Sequence, residues 1–181
     1  MVTTGGGYNI KNVSLTTEKD HTSGSGQALK LTNRTHNYDR VRIINALEDA
    51  VLGETYIISA WVYSDETVDN IALNGYYSGW EKASTRQMDV KAGEWEKVEF
   101  EYVHQEYVDK NGKTVVPTDI TIEQCGAQSA RAEFYIDDIQ ILKGILPEEG
   151  PLVPVIEREG KRPTPDTSYT DIGKTFNDLI F

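Results

Sequence analysis

QALKLTNRTHNY occupies residues 27–38. Leu29 and Leu31 alternate with Lys30 and Thr32, the period of two expected of a strand with one buried face. The strand runs into Asn33-Arg34-Thr35 and then Tyr38, a fork of donors and a flat ring with little bulk between them. The same period recurs on both sides of it. Val13 and Leu15 alternate with Ser14 and Thr16. TYIISAWVYS (55–64) is apolar on both faces and reads as a central strand. NIALNGYYSG (70–79) is a strand that ends in a turn. GEWEKVEFEYV (93–103) puts Val98, Phe100 and Tyr102 on one face and Lys97, Glu99 and Glu101 on the other. DKNG (109–112) signals a hairpin, Ile120 and Ile122 alternate with Thr121 and Glu123, and FYIDDIQIL (134–142) closes the set. About eight short strands with almost no helical period predict an all-β chain, an antiparallel β-sandwich of the jelly-roll kind. NALEDAVLGE (45–54) reads either as one helical turn or as a loop.

The strand pattern bounds a sandwich over residues 8–144. MVTTGGG (1–7) has neither the basic start nor the apolar run of a signal peptide and reads as an unordered start. Residues 145–165 hold five of the six prolines and read as a stiff, extended linker. In 166–181, Tyr169, Ile172, Phe176 and Leu179 recur at spacings of three and four behind Asp166, Thr167 and Ser168 as capping residues. This predicts a short C-terminal amphipathic helix, docked on the sandwich or opening a following domain.

The chain has 181 residues, with 18 basic against 29 acidic side chains and a net charge of -11. Such a surface repels phosphate backbones and anionic membranes, so nucleic acid and membrane are not expected partners. Neutral polymers do not sense that field. Cys125 is the single cysteine, so no internal disulfide can form. No run approaches the ~18 apolar residues of a membrane span.

Catalytic signatures are absent. His21, His36 and His104 fall in no metal-ligand spacing, and there is no GxSxG, GxGxxG or phosphate loop. No carboxylate pair stands out as a glycosidase acid and base. The chain therefore does not read as an enzyme. Among the aromatics, Trp61 and Trp95 sit with apolar neighbours and read as core or sheet-edge packing. Tyr38 and the Tyr76–Trp80 cluster sit at strand ends or turns, where a ring meets a ligand. Arg34, Arg40 and Arg42 form a basic group, either donors to sugar hydroxyls or partners of Glu48 and Asp49. Guanidinium forks and flat rings together suit a sugar, which offers hydroxyls and C–H faces. Asp137 and Asp138 are either surface charges at a strand bulge or ligands of a structural Ca²⁺, with carbonyls from Ser23-Gly24-Ser25-Gly26.

SGSGQALKLTNRT, GETYIISAWV, GEWEKVEF and FYIDDIQIL, in that order across residues 8–143, resemble the family 22 carbohydrate-binding modules. These are the xylan-binding jelly rolls of bacterial xylanases, related to families 4 and 9. The resemblance implies a non-catalytic module, monomeric and secreted, that binds xylan or a related plant cell-wall β-glycan such as β-glucan. It also implies an attached glycoside hydrolase domain and a structural calcium remote from the groove. Tyr38 stands where the family has a stacking tryptophan three residues after NRT. Glu123 takes the place of the family's groove glutamate if the strand is shifted by two residues; otherwise Cys125 stands there. Lys11 stands for an arginine near the amino terminus, and Trp80 lies close to an expected tyrosine. The implied groove set is Lys11, Arg34, Tyr38, Arg42, Tyr76, Trp80 and Glu123. Asp137 matches the family's calcium ligand, with Ser25 beside it. The family's usual first strand, before Tyr8, is missing from this reading. Thr121 and Glu123, where rings would stand, favour an alternative: a structural or interaction sandwich that stabilises a neighbouring catalytic domain and has lost glycan binding.

Overall fold

The computed structural model describes residues 2–5, 13–22, 26–36, 39–78, 81–125, 131–144 and 170–171. Two antiparallel sheets face each other. In chain order the strands are β1 (Val2–Gly5), β2 (Val13–Thr16), β3 (Ala28–Leu31), β4 (Arg40–Ile43), β5 (Thr55–Tyr63), β6 (Val68–Ser78) and β7 (Glu81–Val90). They continue as β8 (Trp95–Val103), β9 (Tyr107–Val108), β10 (Thr114–Val115), β11 (Asp119–Gln124), β12 (Phe134–Lys143) and β13 (Thr170–Asp171). One sheet has five strands in the order β1-β4-β11-β6-β7. The other has the path β2-β3-β12-β5-β8, with β13 paired to the end of β12. β9 and β10 form a separate hairpin, its turn closed by Asp109 Oδ1, which accepts from Asn111 N and Lys113 N. The described residues contain no helix, and the expected sandwich is present.

The core lies between the sheets and is built by alternation. β4 and β11 turn Val41, Ile43, Ile120 and Ile122 inward, and β6 adds Ile71 and Leu73. The second sheet answers with Leu29, Leu31, Ile58, Val62, Val98, Phe100, Phe134 and Ile136. β5 pairs on both sides, with β12 and with β8, and its central position keeps most of its residues buried. β12 breaks period two, since Phe134 and Ile136 point inward and so do Ile139 and Ile141. A register shift between Asp137 and Gln140 absorbs the extra residue, and Asp138 takes a positive φ of 46° there.

One expectation is corrected, one alternative is resolved and one lies mostly outside the described residues. Residues 1–7 are not all unordered: Val2–Gly5 pairs with Ile43–Arg40 as the edge strand β1, helped by β-branched Val2, Thr3 and Thr4. Residues 45–54, read as either a helical turn or a loop, form turns, with Asn45 and Gly53 at positive φ. Two apolar residues of that segment are pegs, with Ala46 and Leu47 fully buried and Leu47 N bonded to Thr118 O, while Val51 and Leu52 are exposed. The helix expected over 166–181 lies outside the described residues except at Thr170–Asp171, which pair as a strand with Leu142–Lys143.

His104 closes the end of the sandwich below those turns. Its backbone exchanges bonds with Gly53 N and Glu54 O, and its ring meets Tyr102 Oη at 3.1 Å. Burial lowers its pKa below 6.5, so the unfolded chain takes up the proton first. This contribution to stability is present above 6.5 and is lost as pH falls from there through the lower folded value. Urea midpoints measured at about pH 7.5 and about pH 5.5 should show a lower midpoint in acid, and His104→Gln should shrink that difference. An undiminished difference in the variant would assign the acid loss to other groups.

Candidate functional site

The outward face of the five-stranded sheet is polar, yet it is not exposed. Because Val41, Ile43, Ile120, Ile122, Ile71 and Leu73 face the core, Arg40, Arg42, Asp119, Thr121, Glu123, Ala72, Asn74 and Tyr76 share the other side. The register aligns them in rows across β4, β11 and β6. Arg40 is opposite Glu123 and Glu123 opposite Ala72; Arg42 is opposite Thr121 and Thr121 opposite Asn74; Asp119 is opposite Tyr76. Arg40, Asn74, Asp119, Thr121 and Glu123 are each between 0 and 3 % exposed. Buried polar groups persist only when paired, and most of these are. Asn74 Nδ2 donates to Thr121 Oγ1 at 3.2 Å and to Glu123 Oε1 at 3.1 Å. Arg42 Nε donates to Asp119 Oδ2 at 2.6 Å, and its Nη2 lies 2.5 Å from the same oxygen. Asp119 Oδ1 accepts from Asn45 N and Thr118 Oγ1, both at 2.9 Å.

Tyr76 has two cations against its ring. Its ring centroid is 5.3 Å from the Arg40 guanidinium carbon and 4.8 Å from that of Arg42. The sequence placed this tyrosine at a strand end as an exposed ring. It lies within β6 instead and is buried, because its side chain shares the polar face with the two arginines. Arg42 keeps about a third of its side chain open, at 35 %. Arg40 is enclosed: its Nη1 lies 3.8 Å from Glu123 Oε2, beyond a hydrogen bond, and neither its Nε nor its Nη1 has a partner.

Arg34 has a different place from the one its sequence context suggested. It is buried, donating from Nη1 to Gln124 Oε1 at 2.6 Å and to Ala132 O at 3.0 Å, with its guanidinium over the Phe134 ring. Desolvation lowers its pKa to about 10. Asn33, with a positive φ of 49°, turns the chain, and Asp39 Oδ2 gathers Thr35 N and His36 N. The NRT segment thus braces the end of β11 against the start of β12. Lys11, Tyr38, Trp80 and Ser25 lie outside the described residues.

Asp137 sits at the β12 bulge. Its Oδ2 accepts from His21 N at 2.9 Å and its Oδ1 from Asp138 N at 2.8 Å. Burial raises its pKa against those bonds, and the charges of Asp138 and Asp20 add to the rise. Asp138 takes His21 Nδ1 at 2.6 Å and Thr22 Oγ1 at 2.8 Å. Asp20 holds Gly26 N, and a Cβ on Gly26 would lie 2.9 Å from Asp20 Oδ1. Among the described residues no three ligating side chains converge as a metal cluster.

Trp61 and Trp95 are not core residues. They lie half-buried on the outward face of the other sheet, where the His21 ring stacks on Trp61 at 3.9 Å and meets Trp95 edge-on at 5.6 Å. Tyr63 and Tyr135 continue that belt, each with a lysine over its ring. The sequence reading passed over Asn74 and Asp119, which hold the polar floor together. Continuing the period two of DITIEQ by one residue would have placed Asp119 with Glu123.

Residues 3–118 match the family model of the CBM_4_9 carbohydrate binding domain. The chain belongs to this family. The match spans well over half of the chain and stops just before β11. No curated protein matches the chain. Among solved structures, the CBM22-1 xylan-binding domain of Paenibacillus barcinonensis Xyn10C is 18% identical with a TM-score of 0.56, covering 81% of this chain and 87% of its own. The C-terminal family 22 carbohydrate binding module of Clostridium thermocellum Xyn10B is 18% identical with a TM-score of 0.53, covering 77% and 84%. These carbohydrate-binding modules share the fold.

The inward role of Arg34 and the outward role of Arg42 predict different costs. Arg34→Gln should lower stability by about 2–3 kcal/mol, because it strands Gln124 Oε1 and the Ala132 carbonyl in a buried site. Arg42→Gln, at a partly open position, should cost less. Denaturant melts of both variants check the order, and a greater loss for Arg42→Gln would refute the bracing role.

Proposed function

We propose that this carbohydrate-binding domain is a non-catalytic module that holds xylan or a related plant cell-wall β-glycan on the polar face of the five-stranded sheet. The observation that carries this reading is the buried polar floor of Arg40, Arg42, Asn74, Asp119, Thr121 and Glu123, with Arg42 partly open above it. An ordinary sandwich wets its outward faces. A floor that is both desolvated and rich in donors and acceptors strengthens each hydrogen bond to a hydroxyl. Tyr38, Trp80 and Lys11 complete the groove in this reading. The fold neighbours described as xylan-binding point to the same polymer. In the parent protein the module brings an attached glycoside hydrolase to its substrate, outside the cell, and acts as a monomer.

A structural Ca²⁺ at Asp137, with Ser25 beside it, belongs to this reading. What supports it is a buried carboxylate with Asp20 and Asp138 near enough to oppose its ionisation. The ion would neutralise that cluster and tie β12 to the 20–26 loop. Added Ca²⁺ should then raise the melting temperature and a chelator reverse it, with Asp137→Ala abolishing the response. An equal response in the variant would move the ion elsewhere.

A second reading is favoured by Tyr76, which is buried with two guanidiniums against its ring and so little open to sugar stacking. Here the sandwich steadies a neighbouring catalytic domain and binds no glycan. Affinity electrophoresis in gels with soluble xylan, mixed-linkage β-glucan or no polysaccharide separates the two. The glycan-binding reading expects retardation in a glycan gel, weakened by Arg42→Ala and by Tyr38→Ala. No retardation in any gel favours the structural reading.

A further inference from the structure

We infer that Ile172 extends β13 and closes the open flank of β12, so that the segment after the proline-rich stretch supplies a strand of this sandwich and does not open another domain. The inference stands independently of the glycan-binding reading.

Only one side of β12 is filled along its length. β5 pairs with it from Tyr135 to Lys143, across the bulge. On the other side β3 reaches only Phe134–Ile136, and β13 only Leu142–Lys143. Between those two, no strand among the described residues stands opposite Ile139, Gln140 or Ile141. This is no solvated edge, because Ile139 and Ile141 face the core at 0% exposure. The main chain there needs a partner too. Gly144 N donates to Thr55 O, so the backbone groups of Gly144 face β5. Such groups alternate sides along a strand. Those of Leu142 therefore face β5, and those of Lys143 and Ile141 face the flank. Buried N–H and C=O groups persist only when paired.

The register supplies the partner. Thr170 is opposite Lys143 and Asp171 opposite Leu142. One further step puts Ile172 opposite Ile141, where the backbone of Ile141 is aimed. Opposed residues share a face of the sheet. Ile172 then falls on the core side against Ile141, and Asp171 on the outward side with Leu142. A shift by one residue would turn Asp171 into the core, so the hydrophobic match fixes this register. Gly173 follows, and it ends the strand before Lys174 would reach the core face. The domain then extends past Gly144, with the chain leaving β12 and rejoining it at the same end. An edge filled in this way is not open to the strand of a neighbour.

Two measurements on the full chain test this. Leu142 and Asp171 form a pair whose backbone groups point away from each other, with Cα atoms expected ~4.5 Å apart, within reach of a disulfide. The double variant Leu142→Cys, Asp171→Cys should therefore close an intramolecular bond under mild oxidation and run as a monomer on a non-reducing gel. The parent chain, with Cys125 alone, gives the background. In urea melts Ile172→Asp should lower the midpoint by about 1 M, while Ile172→Val should leave it nearly unchanged. The cross-link keeps the test open should Ile172→Asp fail to fold. Two thiols that stay free under oxidation, or an Ile172→Asp midpoint equal to that of the parent, overturn the inference. A covalent dimer also overturns it, and gives the flank to a second copy of the chain.

Discussion

The pairing of β4 with β11 is the constraint on which the rest depends. Val41 and Ile43 meet Ile122 and Ile120 across the ladder, and all four must face the core. Once they do, Arg40, Arg42, Asp119, Thr121 and Glu123 have only the other face to occupy. A slip of β11 by one residue would turn Asp119 and Glu123 into the core and expose Ile120 and Ile122. The hydrophobic register thus sets the polar floor, and no separate device is needed to bring the charged residues together.

Around that pairing the molecule spends its irregularities on placing charged groups. The β12 bulge restores inward parity after Ile136 and, in doing so, sets Asp137 and Asp138 beside His21 and Thr22. Asn45, at positive φ, directs its N–H to Asp119, which then holds Arg42 in place. Arg34 ties Gln124, the last residue of β11, to Ala132 just before β12. On the opposite sheet His21, Lys19 and Lys30 cover rings that would otherwise be open. The aromatic belt there is largely closed by the chain itself.

Much of the fold was legible because period two is a strong local signal. β2, β3, β8 and β11 could be read from their alternation, β5 from its continuous apolar run, and the β9–β10 hairpin from DKNG. β1 was hidden because four residues before a glycine run carry too little pattern. The 45–54 segment stayed open between a helical turn and a loop because its apolar residues are spaced as on a helix, while the structure holds two positive φ angles there. The site was only partly legible. Arg42 and Glu123 could be named, but a sequence does not tell whether an arginine turns inward, as Arg34 does, or lies along the face of a ring, as Arg40 and Arg42 do. Those outcomes depend on partners 77 to 90 residues away along the chain.

The cross-linking of that floor limits how such a surface can change over time. Losing one member of a buried charge pair leaves the other stranded, at a cost of ~3–5 kcal/mol. That is a large share of the ~5–15 kcal/mol by which a domain of ordinary size stays folded. Arg40 and Glu123 therefore change together or hardly at all, and Asn74 is bound to the same fate through Glu123 and Thr121. Lineages that share this floor can vary freely in what surrounds it while the floor itself moves only in concerted steps.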